Sequence, residues 1–439
     1  MENLLCKILD DINIDKAYRK VVSNKGGAGI DGMTVDDLKT YMQTKWSETK
    51  GLILKGHYKP QAVKGVEIPK SKGGVRLLGI PTVIDRVIQQ AIQQVLSPIF
   101  DIDFSEFSYS FRKGRGTHQA VLQAQRYINQ GYQDIIDLDL KSFFDIVNHD
   151  YLMSLIDRKI KDRMLMKLIR RYLQSDIMLG GLTQQREQGT PQGSPLSPLL
   201  SNIILNNLDN ELEKRGHRFV RYADDCSIFV RSKTAAERVL RSITKFIEVK
   251  LHLKVNNEKT NICRPINYVT LGYGFTPTYK KGEQGKYNLR VPSENLKRMK
   301  QKVKEITRKT TPISFNERMK RLRDFVVGWV SYYKYARLKS TLKSIDSWVR
   351  RRIRYVIWKQ WKKPNKRWRS FIRLGIEYGR AYSWSRSRMG GWAIAGSPIM
   401  RTTVTNERLQ KRGYLSFSQQ FSKSFRTVPK EVQLKFSYV

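Results

Sequence analysis

Residues 219–230, Phe-Val-Arg-Tyr-Ala-Asp-Asp-Cys-Ser-Ile-Phe-Val, read as two short strands meeting at a bend. Any fold of this chain must therefore place two adjacent carboxylates, Asp224 and Asp225, at the tip of a β-hairpin. An acidic turn alone is common on protein surfaces. A second acidic strand lies upstream: Asp134–Leu140 reads Asp-Ile-Ile-Asp-Leu-Asp-Leu, with Ile135, Asp137 and Asp139 on one face. Two strands of one antiparallel sheet would set Asp139 beside the hairpin, although 85 residues separate Asp139 from Asp224. Between them, Tyr151–Leu173 has helical spacing, and Gly189–Leu208 begins as a Gly/Pro loop and passes into an apolar helix over Leu199–Leu208. The order strand, helix, helix, hairpin predicts an α+β fold.

A chain of 439 residues that is 40% hydrophobic is too long for one ordinary core and too apolar for disorder, so several packed subdomains are expected. It has no run of eighteen apolar residues, and Met-Glu-Asn-Leu-Leu-Cys-Lys at its start lacks the pattern of a secretion signal. A cytoplasmic protein with no membrane partner is expected. Cys6, Cys226 and Cys263 stand apart, which fits neither a disulfide framework nor a four-cysteine zinc site.

The charge of +43 points to a polyanionic partner. It is concentrated in residues 291–439, which hold 37 Lys and Arg against 8 Asp and Glu, together with seven of the eight Trp. Basic and aromatic residues without a long apolar face favour nucleic acid over membrane. In this part Leu322, Phe325, Val326, Trp329, Tyr332 and Tyr333 recur at helical spacing, as do Ile345, Trp348, Val349, Ile353, Val356 and Ile357, the stripes of a helical core. Arg350, Arg351, Arg354 and Lys359 are left on the opposite faces, suited to a phosphate backbone. Upstream, residues 1–60 read as short helices around a Gly-rich loop. Val66–Ile68 and Val75–Leu78 read as a hairpin with a basic tip, and Val83–Leu96 as a helix with one broad buried face.

Three blocks, Leu138-Asp139-Leu140-Lys141-Ser142-Phe143-Phe144-Asp145, Gln188-Gly189-Thr190-Pro191-Gln192-Gly193-Ser194-Pro195 continuing to Asn202, and Arg221-Tyr222-Ala223-Asp224-Asp225, occur in that order and spacing. Together they resemble the palm of group II intron reverse transcriptases. The similarity extends through Ile68-Pro69-Lys70, Arg76 to Thr82, Phe107 to Arg112, Leu271-Gly272-Tyr273, Gly328 to Tyr333 and Arg350 to Lys362, and so spans essentially the whole chain. It is strongest to the short bacterial class without a nuclease domain.

The resemblance implies a right-hand polymerase: fingers over residues 1–110, a palm over 111–275, a helical thumb over 276–362 and a basic DNA-binding region over 363–439. It implies that Asp139, Asp224 and Asp225, with the backbone carbonyl of Leu140, hold catalytic Mg²⁺, for which Mn²⁺ can substitute. Nucleotidyl transfer uses two such ions, and an all-oxygen donor set suits them. Lys70 and Arg76 would meet the incoming dNTP triphosphate, one as a point charge and one as a fork. Phe144 would exclude a ribose 2′ hydroxyl, though as a neighbour of Phe143 it also reads as an ordinary core residue. Gln192 and Gly193 would lie under the templating pair, and Leu271-Gly272-Tyr273, otherwise a strand-end turn, would be the primer grip. Lys259 would protonate pyrophosphate, against the simpler reading of a solvated turn lysine. His149 reads as a helix start.

Two departures from the family stand out: Lys141-Ser142 where Glu-Lys is frequent, and Ser194 where a second glycine is frequent. No His follows His252, so a zinc-supported nuclease is not expected. The implied function is RNA-directed DNA synthesis from an RNA template with a DNA primer, joined to maturase binding of the parent intron RNA and retrohoming into target DNA. Two other roles fit the residues: a splicing cofactor with a vestigial polymerase site, and a domesticated reverse transcriptase in DNA repair.

Overall fold

The structure, a computed structural model, describes residues 4–69, 74–279 and 281–426. The chain forms two compact units that divide between Arg264 and Pro265. The described residues of the first unit contain β1 (Val63–Pro69), β2 (Val75–Ile80), β3 (Asp134–Leu138), β4 (Ile177–Leu179), β5 (Leu182–Gln184), β6 (Arg218–Tyr222), β7 (Asp225–Val230) and β8 (Asn261–Cys263). One sheet has the order β6-β7-β3-β8 with every neighbour antiparallel. Its central strand β3 buries Ile135, Ile136 and Leu138 and leaves Asp137 half-buried, so the expected alternation is overlaid by burial on both faces. The other sheet has the order β2-β1-β4-β5. There β1 and β2 form the expected hairpin, with Pro69 opposite Val75, and β4 joins β1 in parallel. The basic tip with Lys70 lies outside the described residues.

Around these sheets the helices follow their apolar periodicity. Thr82 caps the helix Val83–Asp101, accepting from the Asp85 amide, and Val83, Val87, Ile88, Ala91, Ile92 and Leu96 form its buried face. This helix runs through Pro98, five residues past its expected end. The segment expected as one helix over Tyr151–Leu173 is two, His149–Asp157 and Arg163–Leu173. The Asp162 carboxylate accepts from the amides of Met164 and Leu165 and so starts the second. The helix of the Gly/Pro block runs over Ser197–Lys214.

The second unit begins with β9 (Val269–Thr270), β10 (Tyr273–Pro277) and β11 (Tyr287–Arg290), ordered β11-β10-β9. Three long helices follow, Ser293–Ile306, Phe315–Tyr332 and Lys339–Gln360, the second and third carrying the two expected stripes. The stretch after Pro364, unreadable from periodicity, forms short helices ending in Phe417–Phe425. That last helix packs on two of the three long ones, with Phe417 edge-on to Trp329 at 5.8 Å. Asp346, 1% exposed, anchors it by accepting from the amides of Phe417 (2.7 Å) and Ser418 (3.0 Å) and from the Tyr414 hydroxyl (3.2 Å).

This packing corrects one expectation. Arg354 does not face solvent: it is 6% exposed and donates to the Val404 carbonyl at 2.9 Å and to Asn406 Oδ1 at 3.1 Å. Arg351 donates to the Trp392 carbonyl and lies 4.5 Å from the centre of its ring. Helix Lys339–Gln360 is covered on a second face by later residues, so these two arginines bind protein; Lys359 stays exposed.

Candidate active site

Antiparallel pairing of β3 with β7 ends at Leu138 opposite Cys226, leaving Asp139 one residue beyond, at the same end of the sheet as Asp225. The chain then continues the sheet irregularly: Leu140 bridges Val255, and the Asn256 amide donates to the Asp139 carbonyl at 2.9 Å. Asn256 Nδ2 also holds Asp139 Oδ2 at 2.9 Å, and Lys259 Nζ lies 3.4 Å from the same oxygen. Lys259, 68% exposed, is thus paired with an acid of the cluster.

On the other side, β6 and β7 close with Tyr222 opposite Asp225, leaving Ala223 and Asp224 in the bend. Ala223 has φ +57°, a left-handed conformation that costs a residue with a Cβ about 1–2 kcal/mol. Two hydrogen bonds offset that strain: the Ala223 amide donates to Ser110 Oγ at 2.6 Å, and Arg221 Nη1 donates to the Ala223 carbonyl at 3.1 Å. Arg221 is fully buried, as is Asp209, which it grips through Nε (2.7 Å) and Nη2 (2.6 Å). It also donates to Asn202 Oδ1 at 3.0 Å and Ser108 Oγ at 2.7 Å, while Asn202 Nδ2 donates to the Ser110 carbonyl at 3.0 Å. Burial raises the Asp209 carboxyl and the two-pronged guanidinium opposes it.

The acids strain one another electrostatically. Asp225 reaches solvent along its edge, yet surrounding protein and the charges of Asp224, Asp137 and Asp139 push it up to about 6. Asp137 is also pushed up to about 6, by burial first and Asp139 next, against a hydrogen bond from Ser227. Asp224 is raised by burial and by Asp139, and eased by Arg76 and Lys259. Among the described residues no three His, Cys, Asp or Glu groups form a finished cation cage. The donor chemistry nonetheless suits a hard divalent cation: carboxylates within mutual electrostatic reach, whose repulsion Lys259 and Arg76 only partly offset.

The Gly/Pro loop stitches the remaining parts to this end of the sheet. Gly189 and Gly193 have φ +87° and +111°. A Cβ at Gly189 would lie 2.7 Å from the Phe144 carbonyl, and one at Gly193 2.9 Å from the Gly79 carbonyl, so both must lack a side chain. The Thr190 amide donates to the Phe144 carbonyl at 2.6 Å, and the Gly79 amide to the Gln192 carbonyl at 2.8 Å. Arg76 Nε donates to Gln192 Oε1 at 2.6 Å, and Gln192 Nε2 to Asp145 at 3.4 Å. Phe144, half-buried, packs edge-on against Phe143 at 5.1 Å. Ser194, 6% exposed, shares a hydrogen bond with Ser197 Oγ at 3.0 Å, so its hydroxyl is satisfied where a glycine is frequent. His149 opens its helix and its Nε2 lies 2.7 Å from the Gly189 carbonyl, a packing role.

Leu271, Gly272 and Tyr273 lie in the second unit. Leu271 (φ +48°) and Gly272 (φ +74°) make the turn between β9 and β10. Tyr332 OH holds the Leu271 carbonyl at 2.8 Å and Asn295 the Gly272 carbonyl at 2.9 Å.

Sequence reasoning did not single out Asp137 as a member of the cluster, nor Asn256, Ser110, Asn202, Asp209 and Arg221 as its supports. A signal existed for two of them. Asp209 falls on the apolar face marked by Leu205, Leu208 and Leu212, and Arg221 alternates in phase with buried Phe219. A charge on a core face calls for a buried partner.

Known proteins resemble this chain in both of its units. Residues 68–275 match the family described as reverse transcriptase (RNA-dependent DNA polymerase), and residues 296–372 match the group II intron maturase-specific domain. Protein YkfC of Escherichia coli is 30% identical over 302 residues, covering 60% of this chain and 79% of YkfC. The group II intron-encoded protein LtrA of Lactococcus lactis subsp. cremoris is 28% identical over 311 residues, covering 56% of this chain and about half (52%) of LtrA. Among solved structures, a chain of a partial Cas6-RT-Cas1–Cas2 complex matches over 57% of this chain and 43% of its own length, at 28% identity and a TM-score of 0.37. No helix among the described residues is long and apolar enough to cross a membrane. Carrying an RNA-directed DNA polymerase domain followed by a maturase domain, the chain belongs to the family of group II intron-encoded reverse transcriptases and maturases.

Proposed function

We propose that this chain extends a DNA primer on an RNA template at the end of the β6-β7-β3-β8 sheet, and that it binds its intron RNA to favour splicing and retrohoming into target DNA. The observation that carries the polymerase reading is the gathering of Asp137, Asp139, Asp224 and Asp225 at one sheet end, with Arg76 in electrostatic reach of Asp224. In this reading Asp139, Asp224, Asp225 and the Leu140 carbonyl hold divalent cations, Mg²⁺ in the cell with Mn²⁺ as a substitute. When bound, the ions supply the positive charge that activates the primer hydroxyl and steadies the departing pyrophosphate.

The protein's own groups do the rest. Arg76, oriented by Gln192, receives the triphosphate of the dNTP, as does Lys70. Phe144, backed by Phe143, limits space at the sugar, and Gly193 lets the backbone approach the templating pair. Lys259 neutralises Asp139 in the resting protein and donates a proton to pyrophosphate once that pairing is broken. The turn at Leu271-Gly272-Tyr273 supports the primer. We assign fingers to residues 1–110, palm to 111–275, thumb to 276–362 and a DNA-binding region to 363–439, acting in the cytoplasm.

Primer extension with Asp224→Asn tests the reading. Loss of one cation ligand is expected to lower dNTP incorporation by roughly a thousandfold, with RNA binding unchanged. Undiminished synthesis by the purified variant overturns the assignment.

A further inference from the structure

At the Arg218 end of β6, away from the acidic site, the surface opens into a cavity of about 410 Å³. Three arginines from different segments line it: Arg115 from the loop before helix Thr117–Asn129, Arg126 from that helix, and Arg218 at the start of the strand. From Arg218 to Tyr222, beside the acidic bend, β6 advances about 13 Å, which sets Arg218 apart from the carboxylates; Tyr109 lies nearer to them, its amide donating to the Arg221 carbonyl at 3.0 Å.

Some arginines of this unit are matched by acids, as in Arg112–Asp101, Arg221–Asp209 and Arg264–Asp134. Among the described residues these three have no such match. Arg115 donates to the Glu106 carbonyl and lies 6.0 Å from the Tyr109 ring centre, and Arg126 donates to Gln123 Oε1 at 3.3 Å. Arg218 lies beside the Tyr132 hydroxyl. The cavity has a single acid, Glu106. Tyr109 and Tyr127, 7% and 4% exposed, contribute ring surface, and the buried Tyr127 hydroxyl lacks a well-formed hydrogen bond.

Solvated surface arginines would explain the charge alone, but not its convergence from three segments on a concave, aromatic-lined space. Guanidinium forks match phosphate oxygens, and the edges of the two mostly buried rings leave an apolar wall beside them. The volume falls within the roughly 300–1,000 Å³ of small-ligand sites. We propose that this cavity binds a nucleotide through its phosphate, either free or as an unpaired residue of an RNA strand, at a site separate from the polymerase centre.

Photo-crosslinking of the full chain tests this with two probes, 4-thiouridine 5′-monophosphate and a short oligouridylate carrying 4-thiouridine. The adduct is expected on the peptides bearing Tyr109 or Tyr127. Its yield should fall at least about fivefold in the double variant Arg126→Ala/Arg218→Ala, which removes two charge-assisted contacts at exposed positions. Charge-preserving Arg126→Lys/Arg218→Lys should recover part of it. Primer extension by the double variant within about twofold of wild type would report an intact fold. Labelling by the mononucleotide identifies a free nucleotide as ligand, and labelling by the oligouridylate alone identifies an RNA strand. Absence of both adducts from these peptides, or a yield unchanged in the double variant, overturns the proposal.

Discussion

Both units bury arginine, but they satisfy it differently. In the first, Arg221 meets a buried carboxylate, Asp209, and three neutral groups. In the second, where acids are scarce, Arg318 is 1% exposed and donates to three backbone carbonyls, those of Ile306 (2.5 Å), Arg308 (2.8 Å) and Thr311 (3.2 Å). Arg354 likewise meets a carbonyl and an amide oxygen. A basic region therefore holds fewer phosphate-facing cations than its composition suggests, because some of its guanidiniums hold its own backbone in place.

The sharpest break of that comparison is removal of residues 363–439. If these residues were only a detachable nucleic-acid arm, the truncated chain would keep a stable second unit and lose salt-dependent binding alone. The packing of Phe417 on Trp329 and the capping by Asp346 lead to a different expectation: loss of the cooperative melting of that unit, visible by calorimetry and protease digestion. Next in size is Arg221→Met, which strands Asp209 and should destabilise the first unit by about 3–5 kcal/mol in urea titration. Asp209→Leu added to it should recover much of the loss. Arg354→Met leaves only neutral acceptors unmatched and should cost about 1–3 kcal/mol. Equal losses for Arg221→Met and Arg354→Met would erase the distinction between the units. Ser110→Ala removes one hydrogen bond from the Ala223 amide, worth about 1 kcal/mol, and should lower kcat for dNTP incorporation with little change in KM.

The smallest effect is a pH dependence of the metal-free protein. Asp137 and Asp225 sit near 6 in the folded chain against an ordinary value of 3.8. Their protonated forms are favoured on folding, so this stabilisation is complete at pH below about 4 and is lost as pH rises through 6. Asp225→Asn should flatten that part of the fall in melting temperature between pH 5 and 7, and a divalent cation should raise the wild-type melting temperature at pH 7. A variant that tracks wild type across this range would show that Asp225 does not carry the effect.

Much of the polymerase half is legible in the sequence. Period-two runs located β3, β6 and β7, and helical stripes located Val83–Asp101 and two of the three long helices of the second unit. The acids at Asp139, Asp224 and Asp225 stand out by their motifs, and the sheet brings them to one end. Less legible was everything decided by tertiary partners. Asp137 looked like one more alternating residue until the sheet set it beside the others. Arg351 and Arg354 looked solvent-facing because the residues that cover them, 391–425, lack a periodicity that pattern reading detects. The split at Asp162 was a capping decision within an otherwise continuous helical pattern.

The knot around Arg221 has a consequence for how such chains can be recombined. Ser108 and Ser110 come from one stretch, Asn202 and Asp209 from a helix more than ninety residues later, and Arg221 and Ala223 from the hairpin. A chimera joined anywhere between residues 111 and 201 takes the two serines from one parent and the buried ion pair from the other. Such a hybrid keeps Asp139, Asp224 and Asp225, yet whether the bend at Ala223 closes depends on two serines inherited from the other side of the junction.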